Sequence, residues 1–135
     1  MANPARSDTV ALVPSRTVRL VAGLTVLSWS GMIVHDRISL PELSLLAPDV
    51  VLPTLVFVSL FCAWWAWPGR LSLGLLLGWT LLHFAVGGLL SVLPSPFLPF
   101  VPEQTLRHYV AHALYAACQV PLLVVLLRGR PRAAS

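Results

Sequence analysis

Charge is scarce in this chain of 135 residues: only 10% are Asp, Glu, Lys or Arg, against roughly 25% in an ordinary soluble domain. Lysine is missing altogether, and nine Arg oppose five acids for a net charge of +4. So sparse a basic balance cannot supply the clustered stripe that nucleic-acid binding needs, and no nucleic-acid partner is expected. The only cysteines, Cys62 and Cys118, do not form a Cys-x-x-Cys pair, which excludes a thiol–disulfide oxidoreductase; both are expected to serve as small apolar core residues. A Gly-rich phosphate loop and a Gly-x-Ser-x-Gly elbow are also missing. No carboxylate lies inside the long apolar blocks, which removes the usual coupling group of a small drug exporter and disfavours a transporter.

What remains is 57% hydrophobic, the composition of an integral membrane protein. Four apolar blocks stand between the charges, each close to the ~20 residues that cross a hydrocarbon core about 30 Å thick. The sequence therefore predicts an all-α polytopic protein with four transmembrane helices in an up-down bundle. The helices are expected at about 17–35, 50–67, 71–93 and 104–127, within a transmembrane domain of 17–128. A flexible N-terminal stretch, 1–16, and a basic tail, 129–135, flank it. The first block is short and must recruit Arg19 by snorkelling. A cleaved signal peptide is the competing reading, but Val34, His35, Asp36 and Arg37 stand where a small-x-small cleavage site belongs, so a retained helix is expected. Trp64, Trp65 and Trp67 form an aromatic interfacial belt. Pro121 should kink the fourth helix unless neighbours satisfy the freed carbonyl.

The charges are sorted. Arg6, Arg16, Arg19, Arg70, Arg128, Arg130 and Arg132 fall on the side of the termini, leaving Arg37 and Arg107 opposite together with Asp36, Glu42, Asp49 and Glu103. The positive-inside rule then puts both termini in the cytoplasm, in the inner (plasma) membrane of a bacterium whose all-Arg, Ala- and Pro-rich composition fits GC-rich coding DNA. Both outer connections, 38–48 with its leucines and 94–102 with Phe97 and Phe100, are apolar enough to lie in the headgroup layer or to act as a lid.

The polar residues inside the membrane are also patterned. On the fourth helix His108, His112, Tyr115 and Gln119 fall within about 60° of one another. On the third, Ser72, Thr80, His83, Gly87 and Ser91 share an arc of about 100°, with Gly74, Gly78, Ala85 and Gly88 opposite. For adjacent antiparallel helices, residues at equal depth have numbers that sum to a constant. Ser91 with His108, Gly87 with His112, His83 with Tyr115 and Thr80 with Gln119 satisfy this within one residue. A hydrogen-bonded ladder is expected, each rung worth ~1 kcal/mol or less. The first helix adds Thr25, Ser28, Gly31 and His35, whereas the polar groups of the second are scattered, which marks it as the most lipid-facing.

Two functions follow. The first is a non-enzymatic membrane protein, an accessory or interaction subunit that docks as a homo-oligomer or in a larger membrane complex through the Gly74-x3-Gly78 face. The alternative is a haem- or divalent-metal-binding redox protein acting on a lipid or quinone. It would use His35, His83 and His112 around a cavity beside Gly87, with Asp36, Glu103 and His108 at the outer mouth.

Overall fold

The computed structural model describes residues 14–94 and 101–129; Phe97, Phe100 and the arginines at 6, 130 and 132 lie outside the described residues. The described chain is all-helical: α1 (Ser15–Ser39), α2 (Pro48–Ala66), α3 (Arg70–Leu82), a π-helical segment (His83–Leu90) that continues α3 without a break, and α4 (Leu106–Arg128). Counting α3 with its π segment, four helices are long and apolar enough to cross a membrane. By length and composition, then, this is a multi-pass membrane protein.

Local signals set the helix starts. Thr105 caps α4 by accepting the His108 amide on its hydroxyl at 3.3 Å, and Pro48 opens α2 in the first turn, where no amide donor is needed. Ser72 holds the start of α3, accepting from the Gly69 amide at 3.1 Å and donating to the Trp67 carbonyl at 2.7 Å. α4 runs through Pro121 as one uninterrupted helix.

α4 is the hub. Its buried positions are Ala111, His112, Tyr115, Ala116, Gln119, Leu122, Leu123 and Leu126, and they form the broad stripe of a core-facing helix. α1 packs along it through Val21, Thr25, Ser28, Gly31 and Met32, and the π segment meets it on another side. α2 rests against α3 and α1 and buries only Val50, Phe57 and Trp64. Trp64 belongs to the apolar core with Val21, Leu76, Leu122 and Leu126, so only Trp65 and Trp67 of the expected belt face outward. Cys62 is exposed; Cys118 packs against Gly31.

Two glycines let helices approach closely. A Cβ on Gly31 would stand 2.5 Å from the Cys118 Cβ, and one on Gly88 would stand 2.8 Å from the Ala116 Cβ and 3.0 Å from its Cα. The expected placement of Gly88 beside Gly74 and Gly78 on the outer face is thereby corrected. In an α-helix Gly88 lies about 140° from His83, but i→i−5 bonding, as in Ser91 N–H to the Val86 carbonyl at 3.0 Å, brings residues five apart nearly onto one side. The π segment therefore turns His83, Gly87 and Gly88 together toward α4. Gly74 and Gly78 stay outside, with nothing within 4 Å of a Cβ at either.

Candidate functional site: a histidine cluster between α1 and α4

His35 extends the buried stripe of α1 by one turn past Met32, and His112 sits one turn past His108 on the hub helix, so both meet at the same end of the α1–α4 contact. Their Nε2 atoms are 3.0 Å apart. His35 Nδ1 faces Asp36 Oδ1 at 3.0 Å, and His112 Nδ1 reaches the Gly87 carbonyl on the π segment at 2.9 Å. A continuous chain of hydrogen bonds thus runs Asp36, His35, His112, Gly87. The rings of His35 and His112 meet edge to face at 4.3 Å, and His108 packs on His112 at 4.4 Å.

His83 does not join this cluster. Its Nδ1 is hydrogen-bonded to the Tyr115 hydroxyl, and its ring lies among Trp79, at 4.6 Å, and Phe57, at 4.8 Å. The Tyr115 ring stands between His83 and His35, 5.3 Å from the latter. The same ring fills the space over Gly87, where a Cβ would meet Tyr115 atoms at 2.8 and 2.9 Å. The cavity expected beside Gly87 is therefore taken by Tyr115.

Of the four expected rungs, the His83–Tyr115 and Gly87–His112 pairs are bridged. Of the other two, Thr80, Gln119 and Ser91 find partners elsewhere, while His108 Nε2 has none in the protein. Thr80 donates to the Leu76 carbonyl at 2.8 Å and Ser91 to the Gly87 carbonyl at 2.8 Å, each within its own helix. Gln119 turns to α1: it accepts the Ser28 hydroxyl and donates to the Ser28 carbonyl at 3.0 Å. A further link between helices, from Trp29 Nε1 to the Thr54 hydroxyl at 2.8 Å, has no sequence signal, because Trp29 reads as one more apolar residue.

The open space lies beyond the cluster. A cavity of about 480 Å³ is lined by His35, Ser39, Leu40, Ser91, Val101, Pro102, Glu103, His108 and His112. Two of its lining residues carry buried side-chain polar atoms without a protein partner, Ser39 Oγ and His108 Nε2. Ser39 was not singled out in the sequence, although it lies four residues after His35 on the same helical stripe. The arginines of this end are committed to backbone: Arg37 donates to the Leu43 carbonyl at 3.2 Å and Arg107 to the Ile38 carbonyl. A second cavity of about 360 Å³ lies among Thr17, Trp64, Arg70, Leu73 and Gly129 and contains no histidine.

The His35–His112 pair does not have the spacing of a bis-histidine haem. Two nitrogens on opposite sides of an iron, each bonded at about 2.0–2.1 Å, stand about 4 Å apart with a macrocycle between them. The His35 and His112 rings touch directly, and His83 is held by Tyr115. Among the described residues, no group of three or more His, Cys, Asp or Glu side chains is arranged to hold a metal ion.

The fold and the site together define a class: a four-helix membrane protein with a histidine cluster under a cavity at one end. Comparison with protein-family models, with curated proteins and with solved structures gives no match, so the functional assignment rests on this geometry.

Proposed function

We propose that the chain is a small non-enzymatic integral membrane protein, an accessory subunit of a membrane complex, whose cavity holds the polar head of a neutral amphipathic molecule. The observation that carries this reading is that two residues lining one cavity, beside Leu40, Val101 and Pro102, each carry an unmet buried polar atom, Ser39 Oγ and His108 Nε2. A buried polar atom without a partner costs about 1–3 kcal/mol, and a ligand that satisfies both recovers that cost. The acidic rim at Glu103, with both nearby arginines committed, disfavours anionic heads. Four short-looped spans with seven arginines on one side support an up-down bundle in the inner membrane with both termini cytoplasmic, which turns the cavity to the outer leaflet. A reporter active only in the periplasm, fused at residue 135, should stay silent. The unfilled Gly74–Gly78 face is where the small-residue packing of a larger complex or a homo-oligomer would join. For the haem or metal redox alternative, His35, His108 and His112 come together, but His83 stands apart, held by Tyr115.

The cavity is tested with protein in nanodiscs. Monoolein, with two free hydroxyls, should raise the unfolding temperature in a saturable way, and methyl oleate, with none, should not. At a hundredfold excess over Kd the stabilisation is about 2.7 kcal/mol. Monoolein stabilisation should fall in Ser39→Ala and disappear in His108→Phe with Ser39→Ala. Equal stabilisation by the two lipids, or an undiminished response in the double variant, would refute the assignment.

A further inference from the structure

The directions of the hydrogen bonds in the Asp36, His35, His112, Gly87 chain can be counted. A backbone carbonyl only accepts, so His112 Nδ1 must carry a hydrogen to bond Gly87. The contact between the two Nε2 atoms at 3.0 Å is a hydrogen bond only if one of them carries a hydrogen. The contact from His35 Nδ1 to Asp36 Oδ1 at 3.0 Å needs one as well. Three bonds in a row require three protons, whereas two neutral imidazoles and a carboxylate bring only two.

We propose that Asp36, His35 and His112 form a proton-binding site that holds one proton beyond this neutral-histidine count and so latches α1 to α4 beneath the cavity. The proton has three places, related by single hops. On His35 it makes an imidazolium that donates to both neighbours. One hop across the Nε2 pair moves the positive charge to His112. One hop the other way protonates Asp36 and leaves both rings neutral. Each arrangement keeps all three bonds and a net charge of zero, so the group costs less to hold in a low-dielectric surrounding than a lone charge would.

The side chains of Asp36 and His35 are 18% and 15% exposed. Every ring nitrogen of His35 and His112 is engaged and the Gly87 carbonyl ends the chain, so a proton enters and leaves through the Asp36 carboxylate. The groups that face the relay from its neighbours are His108 and Tyr115 on α4, at ring distances of 4.4 Å from His112 and 5.3 Å from His35, and Glu103 at the cavity rim. Arg37 and Arg107 are bound to backbone carbonyls. When the third proton leaves, two protons must serve three bonds and one bond breaks. The charge-assisted bond to Asp36 is the strongest, so the break falls on His112, at its bond to His35 or to Gly87. The latch is made at lower pH and released as pH rises. It needs no cavity ligand, so its failure and that of the proposed function are separable.

The test uses the full chain, 15N-labelled at histidine, in nanodiscs without added lipid ligand. In the wild type at neutral pH, nitrogen shifts and the protonated-carboxyl infrared band together should account for three protons, with coupling across the Nε2 pair assigned by His35→Gln. Raising the pH should abolish either that coupling or the His112 Nδ1–H signal. In Asp36→Asn the amide can donate to His35 Nδ1, so the same three bonds form with no excess proton. There the imidazolium and carboxyl signals should be lost, and both His112 signals should persist at the pH that releases them in the wild type. The His83–Tyr115 signal, on a separate pair, should stay unchanged and report folding. Only two protons in the wild type, or identical alkaline behaviour of wild type and Asp36→Asn, would overturn the proposal.

Discussion

Replacing Gly31 with alanine should destabilise the protein by about 1–3 kcal/mol, measured by unfolding in mixed micelles, and Cys118→Gly in the same chain should restore most of the loss. The reason is a single contact. The new methyl would stand 2.5 Å from the Cys118 Cβ, with the Cys118 Sγ at 3.1 Å and the Tyr115 carbonyl at 3.5 Å. The Cys118 Cβ is fixed by the backbone and cannot rotate away, so α1 must move away from α4. That movement weakens the Ser28–Gln119 pair one turn to one side and the His35–His112 bond one turn to the other. Cys118→Gly removes the opposing Cβ. Helix propensity gains about 1 kcal/mol at Gly31→Ala and loses only about 0.3 kcal/mol at Cys118→Gly, so it does not oppose the rescue in the double variant. Gly74→Ala serves as the control: it meets nothing within 4 Å and should be neutral or mildly stabilising in the isolated chain. If Gly31→Ala matched Gly74→Ala, the close α1–α4 packing would be wrong.

Tyr115→Phe should cost about 1–2 kcal/mol, near the upper end for hydrogen bonds inside membranes. Phenylalanine keeps the ring that fills the space over Gly87 and removes only the hydroxyl bonded to His83. His83 is 9% exposed and lies among Phe57 and Trp79, so no water replaces the lost partner, and an orphaned buried nitrogen carries its full desolvation cost. His83→Phe removes the orphan as well. A double-mutant cycle should therefore give a coupling of about 1 kcal/mol. Additive losses would show that the two side chains do not interact.

The His83–Tyr115 pair was legible in the sequence, because two uninterrupted helical periods and one antiparallel register suffice to find it. Thr80–Gln119 was not. A buried threonine can return its hydroxyl to the carbonyl one turn back, and Gln119, with a donor and an acceptor on one amide, finds both matching groups on Ser28 of α1. Register arithmetic between neighbours in sequence cannot see a helix that packs from the other side. Nor could it place Gly88 or the cavity, since a constant angle per residue fails where the ladder changes to i→i−5. His35 and His112 were expected at one depth, and they meet; His108, expected at the mouth, lines the cavity and meets His112 edge to face, and His83 is withdrawn from the set by Tyr115.

Composition and the spacing of charges by themselves determined that the chain has four apolar helices of membrane-spanning length, because the cost of burying backbone and charge in hydrocarbon depends on content and length and hardly on partners. Which polar group satisfies which was decided only by tertiary structure. Every donor in these helices has several acceptors at similar cost, and the choice is made by the close approach of α1 to α4 at Gly31 and by the widened turn at His83–Leu90, neither of which is written in a helical period.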